Sequence, residues 1–195
     1  MGACASGPCS CKRHMRVYRE ESEFTGAASV VTMGTFDGVH AGHRALIRRA
    51  VERARALDVP AVVYTYDRNP LAVLCPQRAP VPLMTLAEKL DALEKLGVDC
   101  AIVRGFTREF ADMEADVFLQ RVFAALRPLA IVVGYNNTFG ARGAGTAQMV
   151  ESFCAARGIE AIVVPPVERD GAVVSSTRIR ALLAQGAREA ARRLL

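Results

Sequence analysis

The sequence predicts an α/β protein, a Rossmann-like parallel sheet of about five strands with helices on both faces. Three observations carry this. Short segments such as Ser29-Val-Val-Thr-Met33 and Leu129-Ala-Ile-Val-Val133 are apolar throughout, so both faces of their sheet must be covered. Blocks with apolar residues at helical spacing separate them, which calls for right-handed parallel crossovers. Strand-like segments also end at Gly34, Asp67 and Gly134, and open α/β sheets bind ligands beyond the carboxyl ends of their strands.

The elements follow in order. Ser29–Met33 is the first strand, ending in Gly34. His40 to Leu57 carries Leu46, Ile47, Ala50, Val51 and Ala54 on one helical face and arginines on the other, and Asp58-Val-Pro60 stops it. Ala61–Tyr66 is a second strand. Thr85-Leu-Ala-Glu88 is a capping box opening a helix to Leu96, with Gly97 as its stop. Asp99–Val103 is a third strand. A helix over Glu114–Leu126, closed by Pro128, leads to the fourth at Leu129–Val133. Thr146–Arg157 is helical with Gly158 as stop, Ile159–Val164 is the fifth strand, and Arg178–Ala184 is a short helix closed by Gly186.

Composition bounds the function. A chain of 195 residues holds one α/β domain with a real core but not comfortably two. Hydrophobic residues at 51% against 23% charged exclude a disordered chain. No apolar run is long enough to cross a bilayer, and Met1–Arg16 lacks the apolar stretch of a signal peptide, so no membrane association and a cytoplasmic address are expected. A net charge of +5 suits an anionic ligand. No Lys/Arg block interleaves with aromatics, so no nucleic-acid partner is expected. Cys75, Cys100 and Cys154 read as buried thiols of a reducing compartment. Cys4, Cys9, Cys11 and His14 match no standard zinc spacing, so residues 1–14 read as a disordered extension and no metal site is assigned. The sequence leaves oligomeric state open.

Four segments can carry chemistry. In Gly34-Thr-Phe-Asp-Gly-Val-His-Ala-Gly-His43, a glycine after a buried strand lets the backbone approach a ligand, and His40 and His43 share one face of a starting helix. The free N–H groups and positive dipole end there make an anion site; a plain capping loop and a metal pair are the alternatives. Ser175-Ser-Thr-Arg-Ile-Arg180 is a second anion-binding pattern, with hydroxyls and arginine at a helix start, or else an N-cap before a solvated basic helix. Asn136-Asn-Thr-Phe-Gly140 and Tyr66-Asp-Arg-Asn-Pro70 place polar groups at strand ends or simply form turns. Two anion sites in one small domain favour a polyphosphate ligand.

Together and in this order these segments resemble the adenylyltransferase module of bacterial FAD synthetase, within the HxGH nucleotidyltransferase superfamily; a riboflavin kinase module usually accompanies it. The match continues at Leu83-Met-Thr-Leu-Ala-Glu-Lys89, Leu96-Gly-Val-Asp99, Phe106-Thr-Arg-Glu-Phe110 and Val132–Gly140, covering about residues 15–186. The resemblance implies that residues 15–186 form an FMN adenylyltransferase domain that joins AMP from ATP to FMN, giving FAD and pyrophosphate, with Mg²⁺ held mainly by the ATP phosphates. It implies that His40 and His43 stabilise charge on those phosphates. Ser176, Thr177 and Arg178 would hold the β- and γ-phosphates. Gly34, Thr35, Phe36 and Gly134 would line the nucleotide pocket. Asp67, Asn69 and Pro70 would lie on the flavin side, with Asn136 between flavin and reacting phosphates. Many relatives carry Asp-Pro-His-Pro where this chain has Asp67-Arg68-Asn69-Pro70, a departure on the flavin side. Residues 187–195 resemble the start of a helix leading to the kinase module, and riboflavin kinase activity is expected to be absent. Another phosphorylated acceptor, or a non-catalytic nucleotide-binding module, is the alternative.

Overall fold

The segments read as apolar strands lie side by side in one sheet, the inner ones buried on both faces and the fifth, at the sheet edge, only half-buried. The structure, a computed structural model, describes residues 14–195; Cys4, Cys9 and Cys11 and the extension assigned to residues 1–14, His14 excepted, lie outside the described residues. The strands are β1 (Arg16–Tyr18), β2 (Ser29–Met33), β3 (Ala61–Tyr66), β4 (Cys100–Arg104), β5 (Pro128–Gly134) and β6 (Glu160–Val164), in the order β1-β4-β3-β2-β5-β6. Every pair is parallel. The sheet therefore has six strands, where the sequence pattern yields five. β1 escapes that pattern because it is three residues long, largely exposed, and pairs only with β4 at the sheet edge.

Helices cover both faces, as expected. Along each strand alternate residues enter opposite layers. Val31, Met33, Val62, Tyr64, Ile102, Ile131 and Val133 pack with α5 (Ala115–Leu126) and α6 (Ala147–Ala155) through Phe118, Leu119, Val122, Leu126 and Val150. Val30, Val63, Ala101, Val103, Ala130 and Val132 pack with Leu46, Ile47, Ala50 and Ala54 of α1 (Ala41–Ala56) and Leu93 of α3 (Leu86–Lys95). A fully buried side chain such as Leu119 stabilises the fold by about 1.5–3 kcal/mol. Cys100 and Cys154 are buried in the first layer, but Cys75 is only half-buried, because it follows the short helix α2 (Leu71–Leu74) in a connecting loop rather than a strand.

The capping box forms: the Glu88 backbone N–H donates to Thr85 Oγ1 at 3.2 Å, and the Thr85 N–H donates to the Glu88 carboxylate at 2.7 Å. A further short helix, α4 (Arg108–Ala111), precedes α5. After β6 the chain makes a hairpin of β7 (Glu168–Arg169) and β8 (Ala172–Val173). Its turn residues Asp170 and Gly171 both have positive φ, 53° and 71°, the conformation an Asp-Gly pair favours. Helix α7 (Ser176–Ala184) starts two residues earlier than its periodicity suggests, because Ser175 Oγ accepts the Arg178 N–H at 3.2 Å. Helix α8 (Arg188–Leu194) turns back and buries Ala191 and Leu194 against Val174 and Ile179.

Candidate active site

From β2 the sheet grows to β3 and β4 on one side and to β5 and β6 on the other. At such a reversal the connections leave in opposite directions and open a crevice beyond the strand ends. Gly34 and Gly134 stand there, at the ends of the adjacent strands β2 and β5.

The Gly34–His43 loop is held in a strained shape. Phe36, Gly38 and Val39 have φ of 49°, 85° and 37°, and for a β-branched residue like Val39 this is a genuine outlier. Four groups hold it. Lys89 Nζ donates to Thr35 O at 3.0 Å, Tyr66 O at 2.8 Å and Thr65 Oγ1 at 3.3 Å. Arg180 pairs with the Asp37 carboxylate and donates to Val81 O at 2.8 Å. The Leu83 N–H donates to Asp37 Oδ1 at 2.9 Å, and Ser176 Oγ donates to Asp37 O at 2.9 Å. The loop is thus tied to α3, to α7 and to the 81–83 segment at once.

His40 is the N-cap of α1, its Nδ1 accepting the His43 N–H at 3.4 Å, which leaves Nε2 to carry the proton. The two rings stack with centroids 3.7 Å apart, and Phe36 meets His43 edge-on at 5.3 Å. Burial pulls His40 down to about 4, partly offset by Asp37. Burial, then His40 and Lys89, hold His43 well below the usual imidazole range, and its Nδ1 is buried without a hydrogen-bond partner. Both imidazoles are therefore neutral at pH 7, able to donate hydrogen bonds and to gain charge only when an anion arrives.

Two cavities meet at this pair. One of about 210 Å³ is lined by His40, Gly42, Asn136, Ser175 and Ser176, among others. The N-termini of α1 and α7 converge on it: a Cβ on Gly42 would lie 3.6 Å from Val174 O. Two helix N-termini facing one cavity form a polyanion cradle. The other, about 410 Å³, has a wall of Tyr66, Phe106 and Phe110, whose rings meet edge-to-face at 5.2–5.7 Å. His43, Leu46, Gly134 and Asn136 line both. A third cavity, about 610 Å³, lies across the 67–70 turn.

The predicted site residues divide accordingly. Gly34, Thr35, Phe36, His43, Gly134, Asn136 and Pro70 line the 410 Å³ cavity, while His40 and Ser176 line the smaller one. Asp67 and Asn69 instead face the third cavity, apart from Asn136. Their side chains shape the turn: Asp67 Oδ1 accepts the Phe106 N–H at 3.0 Å and Asn69 Oδ1 the Leu71 N–H at 2.9 Å. Thr177 is exposed and lines none of the three cavities. The Arg178 guanidinium is also turned away, donating to Arg169 O at 2.8 Å and Ala172 O at 2.7 Å in the hairpin. Arg180, two residues on, is the arginine that reaches the loop. Sequence reading also passed over Asp37 and Lys89. Lys89 did leave a signal, since it sits between Leu86, Leu90 and Leu93 on the helix's apolar stripe. Among the described residues no three His, Cys, Asp or Glu side chains gather as a metal cage.

The family model described as FAD synthetase matches residues 23–178. Among curated relatives, a Geobacillus thermodenitrificans protein named for riboflavin kinase and FMN adenylyltransferase activities is 37% identical, covering 88% of this chain and 92% of that one. The bifunctional riboflavin kinase/FMN adenylyltransferase of Listeria monocytogenes is 32% identical over 89% of this chain and 55% of its own length. That of Escherichia coli is 33% identical over 80% and 50%. The chain spans about half the length of these last two. A solved structure from Streptococcus pneumoniae, called a macrolide-efflux protein, superposes with a TM-score of 0.82 at 31% identity, covering 93% of this chain and 59% of that one. No helix among the described residues is long and apolar enough to cross a membrane. With four-fifths of its length matched by the family model and its switch-point crevice built from the matched segments, the chain belongs to the FAD synthetase family.

Proposed function

We propose that this chain transfers AMP from ATP to FMN, giving FAD and pyrophosphate. The observation that carries this is the pair of cavities meeting at His43, Gly134 and Asn136, one a polyanion cradle between two helix N-termini and the other walled by aromatic rings. ATP phosphates suit the first. The flat isoalloxazine suits the second. Their shared wall is then where an oxygen of the FMN phosphate meets the α-phosphorus of ATP.

One P–O bond forms to that oxygen, the bond to the β-phosphate breaks, and pyrophosphate leaves. The attacking group is already an anion, so no general base is required; positioning and charge stabilisation supply the rate. In this reading neutral His40 and His43 donate to phosphate oxygens and become more basic as charge accumulates beside them. Free amides at the starts of α1 and α7 take further oxygens, with Ser176 beside them. Asn136 bridges the two substrates. Thr177 and Arg178 act through the hairpin and the helix start rather than by direct contact, and Asp67 and Asn69 shape the turn that presents Pro70 to the flavin.

Neither cavity has a carboxylate in its lining, so the residues present fit Mg²⁺ only as an ion carried on phosphate oxygens. There it would neutralise charge on the departing pyrophosphate. The domain is taken as residues 15–186, with α8 packed against it, and these 195 residues are proposed not to phosphorylate riboflavin. The protein is proposed to act in the cytoplasm on small molecules, with no nucleic-acid partner. Incubation with riboflavin and ATP tests the kinase point; FMN formation would refute it. An acceptor series with ATP, comparing FMN with pantetheine phosphate, nicotinamide mononucleotide and glycerol phosphate, tests the reaction. FMN is expected to be strongly preferred, and preference for any of the others would overturn the flavin assignment.

A further inference from the structure

Arg142 is the one ionised side chain lining the 410 Å³ cavity; His43 there is neutral, and the 210 Å³ cavity has no ionised side chain in its lining. The two substrates bring a phosphate monoester and a triphosphate to these walls. Helix ends and a substrate-borne cation answer the triphosphate. On the aromatic side only Arg142 carries a compensating full charge.

The backbone at Arg142 is left-handed, with φ 54° and ψ 19°, a conformation that disfavours any side chain with a Cβ. The loop around it cannot relax this. Phe139 and Gly145 exchange two backbone hydrogen bonds, 3.2 and 2.8 Å, that close the loop's neck. The Ala141 N–H donates to Met113 O at 2.7 Å. Gly140 packs so closely on the start of α5 that a Cβ there would lie 2.6 Å from Ala115 Cα. No carboxylate among the described residues pairs with Arg142. A strained residue held by clamps on both sides, with a free charge at the edge of a cavity, points to use rather than accident.

We propose that Arg142 is a specificity-determining residue whose guanidinium grips the phosphate of the FMN acceptor and so separates FMN from riboflavin. The inference rests on the 410 Å³ cavity being the acceptor site. A guanidinium fork matches two phosphate oxygens at once, which a neutral wall cannot.

The test is equilibrium binding of FMN and of riboflavin to the whole chain, with thermal melting, for wild type, Arg142→Gly and Arg142→Lys. Wild type is expected to bind FMN more tightly than riboflavin. Arg142→Gly should weaken FMN about tenfold or more, change riboflavin less than about twofold, and melt no lower than wild type, because glycine relieves the strain. Arg142→Lys should recover part of the FMN affinity. A structural role predicts the reverse pattern: a lower melting temperature and equal loss for both flavins. Either that pattern or unchanged FMN affinity overturns the proposal. Wild type that binds FMN in preference to riboflavin yet forms no FAD would defeat the catalytic reading alone; equal affinity for the two flavins would defeat this one.

Discussion

Replacing Lys89 by methionine tests whether the loop's shape or its mere burial matters. Lys89 is only 7% exposed, and its ammonium serves three acceptors at 2.8–3.3 Å. Without it Tyr66 O loses its charged donor, whereas Thr35 O keeps the Thr65 hydroxyl at 3.2 Å. An orphaned buried acceptor costs about 1–3 kcal/mol. Against that stands the cost of burying the charge: burial, only partly offset by Asp37 and Asp67, has pushed Lys89 from 10.5 down to about 8. Lowering the pKa that far corresponds to about 3 kcal/mol. The two effects nearly cancel, so Lys89→Met should change stability by less than about 2 kcal/mol, or about 4–8 °C in Tm for a chain of this size. Activity should not cancel. The variant leaves Tyr66 O without its donor and Thr35 O with the Thr65 hydroxyl alone, both in residues lining the 410 Å³ cavity, and kcat/KM for FAD formation should fall about tenfold or more.

The pH dependence separates this from a packing effect. Above pH 8 the wild-type amine becomes neutral and has two N–H groups for three acceptors. FAD formation should therefore decline along a single titration centred near 8, and Lys89→Met should lack that limb. Stability runs the other way. Between about pH 8 and 10.5 the unfolded chain holds the proton that the folded chain has released, so Lys89 makes the fold more stable as pH rises across that window. A Lys89→Met protein with wild-type kcat/KM and an unchanged alkaline limb would refute the reasoning.

Other outcomes follow from the same geometry. His43→Ala should lower kcat by about a hundredfold or more while leaving FMN binding within a few-fold; stopped turnover alongside fluorescence titration separates the two, and equal losses would mean its role is misplaced. Arg180→Ala, which frees Asp37, should raise the KM for ATP well above the effect of Arg178→Ala, and steady-state kinetics giving the opposite order would show that the hairpin contact matters more. Gly140→Ala, at φ 72° and against Ala115, should destabilise the fold by about 2–4 kcal/mol, read as a lower denaturation midpoint.

Much of the fold was legible because burial on both faces leaves its mark in uninterrupted apolar strands, and helix ends leave theirs in Thr85, Glu88 and Gly97. β1 left no such mark, since an exposed three-residue edge strand has neither run nor alternation. The nearness of His40 and His43 at a helix start was legible from their spacing, but their stacking was not, because His40 is the extended N-cap and its ring is placed by accepting the His43 N–H. Nor was the division between Arg178 and Arg180 legible. Both follow the same hydroxyls, and only the hairpin carbonyls on one side and Asp37 on the other decide which guanidinium turns where. Asp67 and Asn69 were expected beside the flavin, but hydrogen bonds to the Phe106 and Leu71 amides use them for the turn itself.

Incubating the chain with FMN, ATP and Mg²⁺ and following FAD and pyrophosphate together is the most direct test of the central claim. Both products are expected in equal amounts, with their formation dependent on FMN. No FAD at any concentration of the two substrates would contradict the claim.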